Sequence, residues 1–81
     1  MNKQLQDYAR NFLKTHVTAL PEKNQIVFKL MYGRNGGQRS VEDAKAMDVP
    51  AVVDEIPSDK LDWAMHQVSQ TIDANNAAIQ E

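Results

Sequence analysis

The stretch Leu61-Asp62-Trp63-Ala64-Met65-His66-Gln67-Val68-Ser69-Gln70-Thr71-Ile72, continued through Asn75 to Ile79, decides the fold. Leu61, Met65, Val68, Ile72, Asn75 and Ile79 alternate steps of four and three residues, which is the spacing of a helix-packing seam. One side of this segment must therefore lie against other helices, either in the same chain or in a second copy, and burial within one chain is the favoured reading. Projected as a helix, the segment places Trp63 nearly opposite the seam, among Gln67, Gln70 and Ala74. There the tryptophan is either covered by residues 49–56, just upstream, or exposed. Asn75 sits where a coiled coil uses a polar residue to fix register, or simply opens a tail of Asn, Ala and Gln expected to fray from about residue 75.

Upstream, Ser58 is placed to cap this helix, with Asp59 and Asp62 in its first turns where the positive end of the helix dipole favours acids. Pro57 stops a shorter segment carrying Ala51, Val52, Val53 and Ile56, which Asp48 or Val49 caps and Pro50 opens. Ser40 followed three residues later by Asp43 resembles a capping box for a short helix to about Met47. Gly33 suits a helix terminus, and Arg34-Asn35-Gly36-Gly37-Gln38 reads as a turn rather than a phosphate loop. Between Pro21 and Gly33, Ile26, Val27, Phe28, Leu30, Met31 and Tyr32 cover most of a helix circumference. Only a narrow polar arc near Gln25 and Lys29 remains, so this helix is expected to be central and buried. Residues 3–19 repeat Leu5, Tyr8, Ala9, Phe12, Leu13 and Val17 at helical spacing, with His16 in the apolar arc as a packed histidine. Lys3, Arg10 and Lys14 lie opposite, a solvated stripe that Asp7 can pair within the helix.

The expected fold is all-α: a single small domain over residues 1–81, a compact bundle of four main helical segments with 58–76 the longest. Eighty-one residues bury a modest core, so self-association as a homodimer is a live alternative. No cysteine is present, which excludes disulfides and thiolate metal sites. No apolar run approaches the ~20 residues of a membrane span, and Met1-Asn2-Lys3-Gln4 opens a polar helix rather than a signal peptide. A soluble protein of the bacterial cytoplasm, without membrane contact, is expected.

The net charge of -2 conceals a division along the chain. Residues 1–40 hold seven Lys or Arg against Asp7 and Glu22, a balance of +5, whereas residues 41–62 balance at -5. The two regions either neutralise each other within the fold or present separate faces to separate partners. Asp54, Glu55, Asp59 and Asp62 form the one dense carboxylate group, and Trp63 adjoins it. No glycine turn or alternating oxygen ligands accompany these acids, so no metal and no catalytic pair is assigned. They serve either to complement helix dipoles or to attract a basic partner surface. His66, alone on the polar side, is expected to face solvent.

Two resemblances are carried by quoted residues. Leu20-Pro21-Glu22, Val27, Leu30, Tyr32-Gly33, Arg39-Ser40-Val41-Glu42-Asp43-Ala44, Met47, Val49, Val53 and Ile56 resemble the helix-turn-helix domain at the end of bacterial primary sigma factors. That resemblance implies a helix at residues 50–56 lying in a DNA major groove. Pro50-Ala51-Val52-Val53-Asp54-Glu55-Ile56 lacks Lys, Arg, Asn and Gln and is acidic, which argues against direct DNA binding through it. Asn24-Gln25, Phe28-Lys29, Met31-Tyr32, then Val52-Val53-Asp54-Glu55-Ile56-Pro57 and Lys60-Leu61-Asp62-Trp63-Ala64-Met65 resemble a family of small tailed-phage and prophage proteins. This second resemblance covers more of the chain and implies a phage accessory setting, with no catalytic or binding residues to carry over.

The expected function is a non-enzymatic phage or prophage accessory protein needing no cofactor. It would act by binding another protein, such as a basic or nucleic-acid-binding host or defence component, through Asp54, Glu55, Asp59, Asp62 and Trp63. The alternatives are a helix-turn-helix regulator of transcription and a virion or assembly component.

Overall fold

Asn2 starts the first helix by accepting the Leu5 backbone N–H on its side-chain oxygen at 2.9 Å, which satisfies one of the donors a helix start leaves free. The computed structural model describes residues 2–32 and 40–80. Among them the elements are α1 (Lys3–Thr18), α2 (Glu22–Tyr32), α3 (Val41–Ala46), α4 (Val49–Glu55), a 3-10 turn (Ser58–Lys60) and α5 (Leu61–Gln80). The described residues contain no strand, as an all-α fold requires. Gly33, the Arg34–Gln38 turn, Arg39 and the Ile79 side chain lie outside the described residues.

The local signals act largely as the sequence reading expects. Ser40 Oγ accepts the Asp43 N–H at 3.1 Å and caps α3. Asp48 stands at the cap of α4 without a side-chain bond, and Pro50 is the second helical residue rather than the first. Pro21, which suits the first turn of a helix, stands just outside α2, its carbonyl accepting from the Asn24 and Gln25 backbone N–H groups. The last helix departs more: Pro57 precedes a 3-10 turn, and α5 begins only at Leu61, so Ser58 opens the turn instead of capping the helix. At its other end α5 runs to Gln80. The Asn75 amide donates to Asn24 Oδ1 at 3.2 Å and ties α5 to α2.

The core places α1, not α2, at the centre. Ala9, Leu13 and Val17 of α1 have no exposed surface, and they meet Val52, Val53 and Ile56 from the α4 segment and Leu61, Ala64 and Val68 from α5. The seam of α5 is thus covered inside one chain, with Met65 and Ile72 packed at its edges. Phe28 and Tyr32 of α2 reach this core, but Val27 is 52% and Met31 44% exposed while Lys29 is only 7% exposed. The expectation of an all-round buried α2 fails here for a physical reason. In a small domain there are too few elements to cover every side of an apolar helix, and periodicity does not say which side goes uncovered.

Two contacts join the basic and acidic halves. The Arg10 guanidinium donates to the Ile56 carbonyl at 3.1 Å and to the Val53 carbonyl at 2.7 Å, the latter shared with the Ile56 backbone N–H at the end of α4. Lys14 pairs with Asp54 at 2.9 Å, an exposed bridge worth under about 1 kcal/mol. The Arg10 and Lys14 stripe is therefore held by α4 across the fold, not by Asp7 along its own helix. Gln25 closes the α1–α2 corner, its amide donating to the carbonyls of Thr18 and Leu20 at 3.1 and 2.8 Å.

Phe28→Ala should lower stability by about 3–5 kcal/mol in denaturant unfolding. Arg10→Met should cost about 1.5–3 kcal/mol, and Arg10→Lys should restore only part of it, because an ammonium cannot span two carbonyls as a planar fork does. A full rescue by lysine would show that charge alone holds α4.

Candidate functional site

Trp63 stands in the first turn of α5 and Tyr32 in the last turn of α2. Their ring centroids lie 5.1 Å apart at an interplanar angle of 64°, an edge-on contact. Tyr32 in turn lies 4.9 Å from Phe28, so three aromatic rings form a line from the core to the surface. Trp63 remains 47% exposed. It is not covered by residues 49–56. Its neighbour is α2, because Trp63, Gln67, Thr71 and Asn75 lie along one flank of α5 rather than opposite the seam.

Between α2 and α5 this flank leaves a shallow groove of about 70 Å³, with Val27 and Met31 on one wall and Gln67 and Thr71 on the other. Tyr32 against Trp63 closes one end, and the Asn24–Asn75 bond ties the helices near the other. The Tyr32 hydroxyl is fully buried and has no hydrogen-bond partner among the described residues. Burial pushes this hydroxyl above its ordinary pKa, because the phenolate would lose its hydration.

The five residues expected to bind a partner do not form one cluster. Asp59, Asp62 and Trp63 stand together and exposed at the start of α5. Asp54 instead faces α1 through its bridge to Lys14, and the half-buried Glu55 is also engaged within the chain. The apolar contribution of Val27 and Met31 is absent from the sequence reading, which assigns both to the core. The spacing of α2 carries no signal that could have separated them from Phe28 and Tyr32.

The remaining candidates are soon placed. His66 is exposed, as expected. His16 is also exposed, although its ring lies against Phe12 in a tilted contact at 4.4 Å, so its packing is one-sided. No cluster of His, Asp and Glu suited to a metal ion occurs among the described residues. Among the same residues no helix is long and apolar enough to cross a membrane. The helices α3 and α4 are separated by Met47 and Asp48, and the exposed positions of α4 are Pro50, Ala51 and Asp54. No family model, curated protein or solved structure matches this chain.

Tyr32→Phe tests the buried hydroxyl. A folded-state pKa above the unfolded value means that the stabilisation is fully present below the ordinary tyrosine range near 10 and is lost as pH climbs through the raised value. The variant should match or exceed the parent at neutral pH, by up to about 1 kcal/mol, and should lose less stability at alkaline pH. Urea unfolding at both pH values reads the difference. Marked destabilisation at neutral pH would mean that the hydroxyl has a partner.

Proposed function

We propose that this chain is a non-enzymatic protein-binding module whose partner docks on the surface made by Trp63, Asp59 and Asp62, with Val27 and Met31 extending it across the groove. The observation that carries the reading is the half-exposed Trp63, held edge-on by Tyr32 and adjoined by acids outside the Lys14–Asp54 pair. A large ring already fixed in place loses little freedom on binding, which is why tryptophan so often anchors interfaces. The acids suit a partner with a basic rim and an apolar centre. The phage or prophage setting, a host or defence component as partner, and action in the bacterial cytoplasm are proposals resting on the resemblance in the Phe28–Tyr32, Val52–Pro57 and Lys60–Met65 stretches.

A second reading, DNA binding, is favoured by the α3–α4 pair, which does form two short helices joined by a two-residue turn. It is weakened by the exposed side of α4, where Asp54 is negative and Pro50 and Ala51 offer no side-chain donor. Retention on duplex DNA that persists at ~200 mM salt would promote it.

For the leading reading, Trp63→Ala should weaken binding of an isolated partner by about 2 kcal/mol or more, mainly through faster dissociation. Asp59→Lys combined with Asp62→Lys should instead slow association and flatten its salt dependence. Both variants must first match the parent in thermal unfolding. Parental kinetics in both would place the partner elsewhere on the molecule.

A further inference from the structure

Leu5 and Tyr8 head an uncovered face of α1. They are 54% and 62% exposed, although their spacing places both in the apolar arc of that helix. Leu5, Tyr8, Phe12 and His16 follow one another at steps of three or four residues, and Phe12 packs against both the core and the His16 ring. Beside them on that side stand Gln4, Asn11 and Thr15, exposed and polar, so this flank of α1 carries no Lys, Arg, Asp or Glu. It ends in a cleft of about 360 Å³ where the last turn of α1 and Ala19 meet α5. Leu20, Pro21 and Ile72 give the cleft apolar walls, and His16, Asn75 and Asn76 give it polar groups.

The face thus has a projection at one end and a recess at the other, with Tyr8 and Ala19 about 17 Å apart along the helix. We propose that it binds a second copy of the chain, the two α1 helices running antiparallel and crossing at Phe12. Reversal about Phe12 brings Leu5 of each copy over Ala19 of the other and Tyr8 over His16, so both recesses are filled and the contact closes on itself. The Tyr8 hydroxyl, which needs a partner once buried, arrives among the polar groups of the cleft. A flank without Lys, Arg, Asp or Glu also brings no like charges together when it meets its own image. The 16 residues of α1 span about 24 Å, and α5 beside it widens the face to about 20 Å. Closure then covers on the order of 1,000 Å² in total, the lower bound for specific association, which makes the dimer reversible and dependent on concentration. The face uses the flank of α5 away from Trp63 and does not rest on a partner docking there.

Sedimentation velocity of the full chain from about 10 to about 500 μM tests the proposal, and a shift from monomer toward dimer is expected as concentration rises. Tyr8→Asp, at an exposed position, should weaken association by about tenfold or more, because the carboxylate would be buried without a partner. Ala19→Trp, also at an exposed position, fills the recess at the other end of α1 and should have the same effect. Trp63→Ala should associate as the parent does. Thermal unfolding checks each variant first, and Leu5→Asp takes the place of Tyr8→Asp if that variant fails to fold. A parent that stays monomeric throughout would overturn the proposal. So would parental association in either folded α1 variant, loss of the dimer in a folded Trp63→Ala, or growth beyond the dimer, since a two-fold contact leaves no second copy of this face open.

Discussion

The rest of the fold depends on one two-pronged contact, the Arg10 guanidinium against the carbonyls of Val53 and Ile56 at the end of α4. Arg10 follows Ala9, the first wholly buried residue of α1, so the contact fixes the end of α4 against the central helix. Ile56 is buried at that junction, and Pro57 turns the chain into the 3-10 segment that delivers Leu61 to the core. The start of α5, and with it the position of Trp63 beside Tyr32, is set by how α4 ends. A short helix of seven residues has little stability of its own, which is why an external cap matters at this point.

The charge division is partly consumed by this arrangement and partly left over. Arg10 and Lys14 meet the acidic segment directly, as neutralisation within the fold requires. Part of what remains stays exposed on separate faces, such as Asp59 and Asp62 beside the tryptophan and Lys45 on α3. The net charge of -2 therefore describes neither face.

The helical class, the seam of α5 and the Ser40 cap were legible because each is a local pattern, set by spacing or by a single side chain reaching three residues along the chain. The orientation of α2 was not, because a helix apolar on most sides can turn any of them outward. The neighbour of Trp63 was hidden for the same reason: a helical projection gives its angle from the seam, yet which helix lies at that angle depends on contacts some 30 residues apart in the chain. Proximity in sequence makes the acids one group, whereas Asp54 on α4 faces α1 through Lys14 and the turn after Pro57 carries Asp59 and Asp62 to the start of α5 with Trp63.

Trp63 is the single tryptophan of the chain, and it touches a tyrosine on another helix while half of it meets water. Its emission is therefore tied to the spacing of α2 and α5. Separation of the helices would wet the indole and weaken energy transfer from Tyr32, while a partner laid over the groove would dry it. The molecule thus carries an intrinsic optical gauge of the seam between α2 and α5, and no label need be introduced to watch that seam open or close.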